Sequence, residues 1–403
     1  MIFAPLFGYL GDRYERKVIM IIGITLWSAT TLAGSFIPSN FFILFLILRG
    51  LVGVGEASYA CVAPTIIADM YKKDSRTKML AFFNVAVPVG SGLGYIVGTN
   101  VARTFNNWQW SLRVTPVLGV ICIVLLILFV DEPVRGITEG AQVQKATDWK
   151  TDIQKLIKIR SYVLSTLAFT WVSFTLGALA WWGPLFIQYG SQVSTEKEDK
   201  NITLYFGIIT CTAGLLGVIS GTEIARHCRK ITSRADPIVC GVAILLSLPF
   251  LVVALLYSNR YMISTWISIF FSEALMCTNW ALINDIMLYV VIPTRRSTAS
   301  ALQLFIFHFL GDAASPYIVG ILSDYSHKYQ ENSVMNSSLL MKRNITESAI
   351  QWASLRNGLM ITVPIAALSA ICFLISSLFI KQDRLKAEET MKVGNSEDST
   401  ENK

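Results

Sequence analysis

Charge is scarce in this chain: Asp, Glu, Lys and Arg make up 15% of its 403 residues, against 53% hydrophobic residues. A soluble protein carries about a quarter charged residues, so water cannot be the solvent for most of this surface. Histidine is scarcer still. His227, His308 and His327 lie far apart, which excludes a histidine-based catalytic or metal constellation, and no enzyme activity is expected. The seven cysteines (Cys61, Cys122, Cys211, Cys228, Cys240, Cys277, Cys372) form no CxxC pair. Neither a disulfide framework nor a zinc site is indicated, and no cofactor or metal is expected. A channel would repeat a filter or pore segment, and none is found. The net charge of +7 forms no basic stripe interleaved with aromatics, so a nucleic-acid partner is not expected.

Long apolar runs are what the chain has in abundance. Ten spans fall at residues 18–37, 41–70, 78–102, 109–130, 161–189, 202–226, 236–257, 261–292, 297–325 and 353–380, preceded by a fragment at residues 1–10. Each full span is close to or above the roughly 20 residues a helix needs to cross a hydrocarbon core. In lipid every backbone amide must find its partner inside the segment, so these spans are helices; a barrel would show short alternating segments instead. The expected fold is an all-α polytopic membrane bundle. Ten spans are too many for a seven-span receptor. The longest polar connector, residues 131–160, opens on Asp131, Glu132 and Pro133 and ends in an amphipathic stretch, Trp149 to Ile159. It divides the chain into a half-bundle at 1–130 and another at 161–380, with a disordered cytoplasmic tail at 381–403.

Orientation follows from charge. If the loop at residues 11–17 is cytoplasmic, most of the 34 Lys and Arg fall in cytoplasmic loops and tail, as the positive-inside rule requires. The glycosylation sequons at Asn201, Asn336 and Asn344 then all fall outside or in a lumen. Both termini come out cytoplasmic. The halves also echo each other in order. Glu56-Ala57 and Ile67-Ala68-Asp69 in one match Glu273-Ala274 and Ile283-Asn284-Asp285 in the other, and Tyr95 to Gly98 matches Tyr317 to Gly320. Parallel halves of this kind build transporters that rock about a mid-membrane site.

The loop Gly8-Tyr-Leu-Gly-Asp12-Arg13-Tyr-Glu-Arg16-Lys17 resembles the signature loop of the major facilitator superfamily, with Glu15 in place of the usual glycine. An Asp there can cap a neighbouring helix terminus and pair with the loop arginines, a latch that breaks when the halves rotate. An ordinary basic turn is the plainer alternative. Further strings narrow the resemblance: Arg49 to Tyr59, Pro88 to Gly98, His308 to Tyr317, Asn279-Trp280 and Val291 to Arg296. From about residue 5 to residue 380 the chain is similar to the spinster family of lipid transporters. The resemblance implies a fold of the major facilitator type with two pseudo-symmetric halves, lacking helix 1 and most of helix 2, and therefore a fragment, a mis-called start or a shortened isoform. In the family helix 1 carries an Asp-Arg pair that works with the acid of helix 4. The resemblance also implies a secondary active transporter of amphiphilic lipids, either sphingosine 1-phosphate or another sphingolipid, or a lysophospholipid. Protons are the expected coupling ion, the transporter is expected to be monomeric, and the membrane is late endosomal, lysosomal or plasma. Export of a sugar or other small organic solute by the same fold is the alternative.

Several charges sit at membrane depth. Arg49 and Glu56 are seven residues apart, two helical turns or about 10 Å along the axis, and project from one face. A charge there costs at least about 3 kcal/mol unless paired or watered. They are read either as a buried ion pair tying helices together or as a cavity site, Arg49 taking an anionic head group and Glu56 a proton; the resemblance supports the cavity. His308 and Asp312, at i and i+4, form either a packing pair or a proton relay. Glu273 is a further candidate on depth alone, whereas Asp69, Asp285 and Asp324 read as structural. Gly90, Gly92, Gly94 and Gly98, with Pro88, suggest a packing seam between halves. Trp171, Trp181, Trp182 and Phe186 fit a tail-binding wall less well than interfacial anchoring or packing.

Overall fold

The computed structural model describes residues 2–71, 73–133, 149–195, 201–336 and 343–401. Its elements are helices throughout, with no strand among the described residues. In chain order they are α1 (Ala4–Gly11), α2 (Arg16–Gly34), α3 (Phe42–Met70), α4 (Lys73–Thr104), α5 (Gln109–Phe129), α6 (Trp149–Ile157), α7 (Arg160–Thr195), α8 (Ile202–Arg229), α9 (Ala235–Tyr257), α10 (Met262–Cys277), α11 (Asn279–Val290), α12 (Arg296–Ile306), α13 (Ala314–Asn336), α14 (Arg343–Leu359) and α15 (Thr362–Glu401). A π-helical turn, Phe307–Asp312, joins α12 to α13. Ten stretches among the described residues are long and apolar enough to cross a membrane.

The packing is duplicated. In the first half α2 lies against α3 and α5; in the second, α9 lies against α10 and α15. Across the halves α1 lies against α12, and α8 lies against α4. Exchanging the halves turns each of these pairings into another, which is the structural form of the sequence echo. Both cross-half seams depend on small residues. A Cβ on Gly8 of α1 would run into Ala301 of α12, and one on Gly214 of α8 would run into Pro88 of α4. Close approach of this kind is how helices associate where lipid supplies no hydrophobic drive.

Several spans differ from their expected bounds, for local reasons. The 261–292 span breaks at Thr278, where the Thr278 hydroxyl donates to the Leu275 carbonyl at 2.8 Å and competes with the helix ladder. The 353–380 span is two helices: Pro364 has no N–H to continue the ladder, and α14 ends at Leu359. The tail expected to be disordered continues α15 as helix to Glu401. Its Lys, Glu, Ala and Leu residues are good helix formers, and Arg384 pairs with Glu388 one turn on at 3.1 Å. Most of the connector, residues 134–148, lies outside the described residues. The amphipathic helix at its end, α6, docks on the second half through buried Leu156 and a 2.6 Å ion pair from Asp152 to Arg295.

Candidate functional site

The expected loop sits where it can hold the halves together. Asp12 follows α1, and its carboxylate accepts hydrogen bonds from the Ser297 N–H at 3.1 Å, the Thr298 N–H at 2.9 Å and the Thr298 hydroxyl at 2.6 Å. These are orphan donors in the first turn of α12, so Asp12 is an N-cap supplied by the opposite half. Burial pushes the Asp12 carboxyl above its ordinary value of 3.8, and the hydrogen bonds from Thr298 and Ser297 pull it back only in part. Arg13 lies over the Tyr9 ring, its Cζ 3.8 Å from the centroid. Arg16, 2% exposed, is gripped by Asp69 at 2.6 Å and Glu132 at 2.7 Å. Lys17 adds its backbone N–H to Glu132 at 3.0 Å.

The second half mirrors this arrangement. Arg229, closing α8, pairs with Asp285 at 2.8 Å and Asp236 at 2.7 Å. Asp285 also accepts from the Thr77 hydroxyl, in the first turns of α4, at 2.6 Å. Each half therefore holds the start of a helix in the other, at the same end of the bundle. Sequence reading missed Thr77, Ser297 and Thr298; the signal available was their position in the first turns of helices that open on basic residues, with Ser297 and Thr298 offering N–H groups that need acceptors and Thr77 and Thr298 offering hydroxyls.

Between the halves lies a cavity of about 1140 Å³. It occupies the middle of the bundle and the end away from the latches, lined from Phe83 to Thr99 on α4 and from Phe169 to Ile187 on α7. Glu56 of α3 reaches it from the first half; Glu273 of α10, with His308 and Asp312 on the π-turn, reaches it from the second. His308 Nδ1 is 2.7 Å from Asp312 Oδ2. The wide turn is marked by an Ala313 N–H bonded to the His308 carbonyl, five residues back, at 2.9 Å. Glu273 accepts from the Thr210 hydroxyl at 3.3 Å. A further cross-half bond on the cavity wall, Asn284 Nδ2 to Asn84 Oδ1 at 3.3 Å, was not anticipated, although two amides within apolar spans were its signal.

Arg49 is not brought to Glu56. It is absent from the cavity wall, lies partly buried on the outer stretch of α3, and places its Cζ 5.1 Å from the Phe45 ring centroid. The i, i+7 spacing puts both on one helix face, but depth separates the pair: the two turns toward Phe42 carry Arg49 onto a stretch where Phe42, Ile43, Leu44, Leu46 and Ile47 are all exposed. The glycines of α4 divide between two roles. Gly92 packs against Gly207 of α8, whereas Gly90, Gly94 and Gly98 have open space beside them and line the cavity. The aromatic group of α7 divides too. Trp181 and Phe186 line the cavity, while the Trp182 indole donates to the Pro316 carbonyl at 3.0 Å. Asn201 is exposed at the start of α8. Asn336 ends α13 and Asn344 lies in the first turn of α14, their side chains outside the described residues. The start of α14 is tied to the end of α7 by Ser348 and Gln192 at 3.2 Å, so it lies at the end opposite the latches, as does the start of α8.

Comparisons with known proteins agree with this architecture. The family model of the Major Facilitator Superfamily matches residues 1–316. Protein spinster homolog 1 of Xenopus laevis is 46% identical over 397 residues, 96% of this chain and 73% of that protein. A sphingosine-1-phosphate transporter of Xenopus tropicalis is 45% identical over 415 residues, covering 100% of this chain and 77% of that one. Among solved structures, a bacterial homolog of the human lysosomal transporter spinster, inward-facing and unoccupied, superposes with a TM-score of 0.67 at 19% identity over 94% of this chain and 87% of that chain; at that identity it bears on the fold alone. This multi-span membrane protein belongs to the Major Facilitator Superfamily and, within it, to the spinster family.

Proposed function

We propose that the chain is a secondary active transporter that carries an amphiphilic lipid across the membrane by alternating access, coupled to protons. The observation that carries this reading is a cavity faced by titratable side chains of both halves and shut at one end by reciprocal latches. Breaking the Asp12 cap on α12 and the Asp285 bond to Thr77 frees one end of the bundle, parting α1 from α12 at Gly8 and Ser297, while the seam of α4 with α8 acts as a pivot. Glu56 is the proton acceptor of the first half. His308 and Asp312 form the relay of the second, the carboxylate fixing the ring tautomer. Glu273 shares the proton load from α10. Arg49 takes no part in holding substrate in this latched form.

A lipid fits better than a sugar because the wall is mostly apolar, including Phe169, Phe206, Leu251, Leu255 and Ile269. The names carried by its relatives, a sphingosine-1-phosphate transporter among them, point the same way. The test is flux into proteoliposomes with a lysophospholipid, sphingosine 1-phosphate and a sugar as separate solutes, with and without a pH gradient. Uptake of at least one lipid, accelerated by the gradient, is expected. Sugar uptake without lipid uptake would reverse the assignment.

A further inference from the structure

Helix α6 is amphipathic, and the bundle uses one of its sides. Asp152 and Leu156, one turn apart, face inward: Leu156 is fully buried, and Asp152 reaches Arg295 at 2.6 Å. These two anchors fix which side looks out. On it stand Lys150, Gln154 and Lys155, all exposed, and Ile157 at 61% exposure; exposed Lys158 and Arg160 follow directly. From residue 150 to residue 160 the outward side therefore carries four cations and no acid, since the one carboxylate of the stretch is the inward Asp152. None of the four has an ion pair among the described residues.

Two contacts fix the level of this face relative to the membrane. Helix α7 begins at Arg160, so an apolar span starts almost immediately after Ile157. Arg160 also lies over the ring of Phe379, its Cζ 5.2 Å from the centroid, and Phe379 belongs to the last apolar turn of α15 before Lys381. Leu378, in the same turn, is exposed as a lipid-facing residue should be. Helix α6 therefore lies at the polar edge of the bilayer rather than free in water. A short helix at that level with lysines beside an exposed isoleucine suits the interface plane, the apolar side chain reaching toward acyl carbon and the ammonium groups staying at the phosphates. Its partner Arg295 stands just ahead of α12, at the latch end. By the distribution of Lys and Arg that end is cytoplasmic, and the cytoplasmic leaflet is the one rich in anionic lipid.

We propose that α6 binds anionic phospholipid of the cytoplasmic leaflet, with Lys150, Lys155, Lys158 and Arg160 on the charged head groups and Ile157 in the acyl boundary. The chemistry asked for is a negative surface with an apolar layer beneath it, which a soluble acidic partner lacks. Each Lys or Arg near such a surface strengthens binding about fivefold. The contact bears on the bundle at a defined point, because the Asp152–Arg295 pair ties α6 to the residue ahead of α12, whose first turn Asp12 caps. It lies apart from the cavity and does not depend on what the cavity carries.

The test is amide hydrogen exchange of the full chain in phosphatidylcholine nanodiscs, with and without phosphatidylserine. Exchange across residues 150–158 should slow several-fold when phosphatidylserine is present, and raised salt should erase most of the difference. Both readings use the unmutated chain, so neither depends on a variant folding. Changing Lys150, Lys155 and Lys158 together to Gln should abolish the slowing, whereas changing the same three to Arg should keep it, a rescue by charge that a merely structural role would not produce. Exchange that is equal in the two nanodiscs, or that slows equally in the Gln variant, overturns the proposal. Polyglutamate added to phosphatidylcholine nanodiscs tests for a soluble acidic partner. Slowing by polyglutamate with none by phosphatidylserine would assign the face to such a partner and overturn lipid binding.

Discussion

The carboxylate of Asp12 caps the N–H of Thr298, 286 residues further along the chain and in the opposite half of the bundle, at 2.9 Å. Because the contact joins the halves, its strength is a term in the equilibrium between the latched and open states. Asp12→Ala removes the cap, which is worth about 1 kcal/mol or somewhat more for a charged acceptor. The open population should rise about fivefold to tenfold, since about 1.4 kcal/mol is a factor of ten. Spin labels at Tyr14 and Ile231, both exposed and on the latch end in opposite halves, should show a longer distance component growing in the variant. An unchanged distribution would mean that Asp12 does not hold the halves.

The same contact responds to pH with a definite sign. Burial raises the Asp12 carboxyl above its ordinary 3.8 more than the bonds from Thr298 and Ser297 lower it. The latched state therefore holds a proton more readily than an open, hydrated Asp12. By linkage the latch is favoured as pH falls below the raised value, and that advantage fades as pH rises through it. Lowering the pH on the latch side should shorten the mean Tyr14–Ile231 label distance, and Asp12→Asn, neutral at every pH, should abolish the trend. A lengthening on acidification would give the opposite sign.

Arg16 gives a stability prediction. It is 2% exposed and paired to Asp69, itself nearly buried, and to the more exposed Glu132. Removing one partner of a buried pair costs about 3–5 kcal/mol because the other charge is left uncompensated, whereas apolar replacement of both is close to neutral. In detergent, Asp69→Ala should lower Tm by much more than Glu132→Ala, and Arg16→Met with Asp69→Leu should recover most of the loss. If Asp69→Ala and Glu132→Ala proved equally mild, the charge would be hydrated.

Two glycines of α4 separate packing from transport. A Cβ on Gly92 would meet the Gly207 carbonyl of α8 at 2.5 Å, whereas one on Gly94 meets nothing within 4 Å. Overpacking of this kind costs about 1–3 kcal/mol. Gly92→Ala should therefore lower Tm by several degrees while Gly94→Ala leaves it unchanged, and Gly94→Leu, which fills part of the cavity, should cut flux at unchanged Tm. A Tm drop for Gly94→Ala equal to that for Gly92→Ala would erase the distinction between seam and wall.

What was legible in the sequence is what neighbours in the chain determine. Span number, the loop from Gly8 to Lys17, the shared face of His308 and Asp312 and the echo of Glu56 in Glu273 all depend on periodicity or short motifs. What was not legible depends on which helices meet at a given depth. Arg49 shares a face with Glu56, yet only the packing around α3 places Glu56 on the cavity and Arg49 off it. The helical tail after Lys381 was hidden because its polar composition suits both a solvated helix and a disordered segment. The split of the α4 glycines required knowing where α8 crosses. That the Ser272 hydroxyl has no partner among the described residues is invisible in one dimension, since any serine in an apolar span can bond its own helix.

The most direct test of proton-coupled transport through the shared cavity compares uphill accumulation with exchange for Glu56→Gln in proteoliposomes. A group that only carries the coupling proton can be neutralised without stopping substrate-for-substrate exchange. Glu56→Gln is therefore expected to lose accumulation of a lysophospholipid driven by a pH gradient and to keep counterflow when the lipid is present on both sides. Accumulation equal to that of the unmutated chain would contradict a coupling role for this cavity.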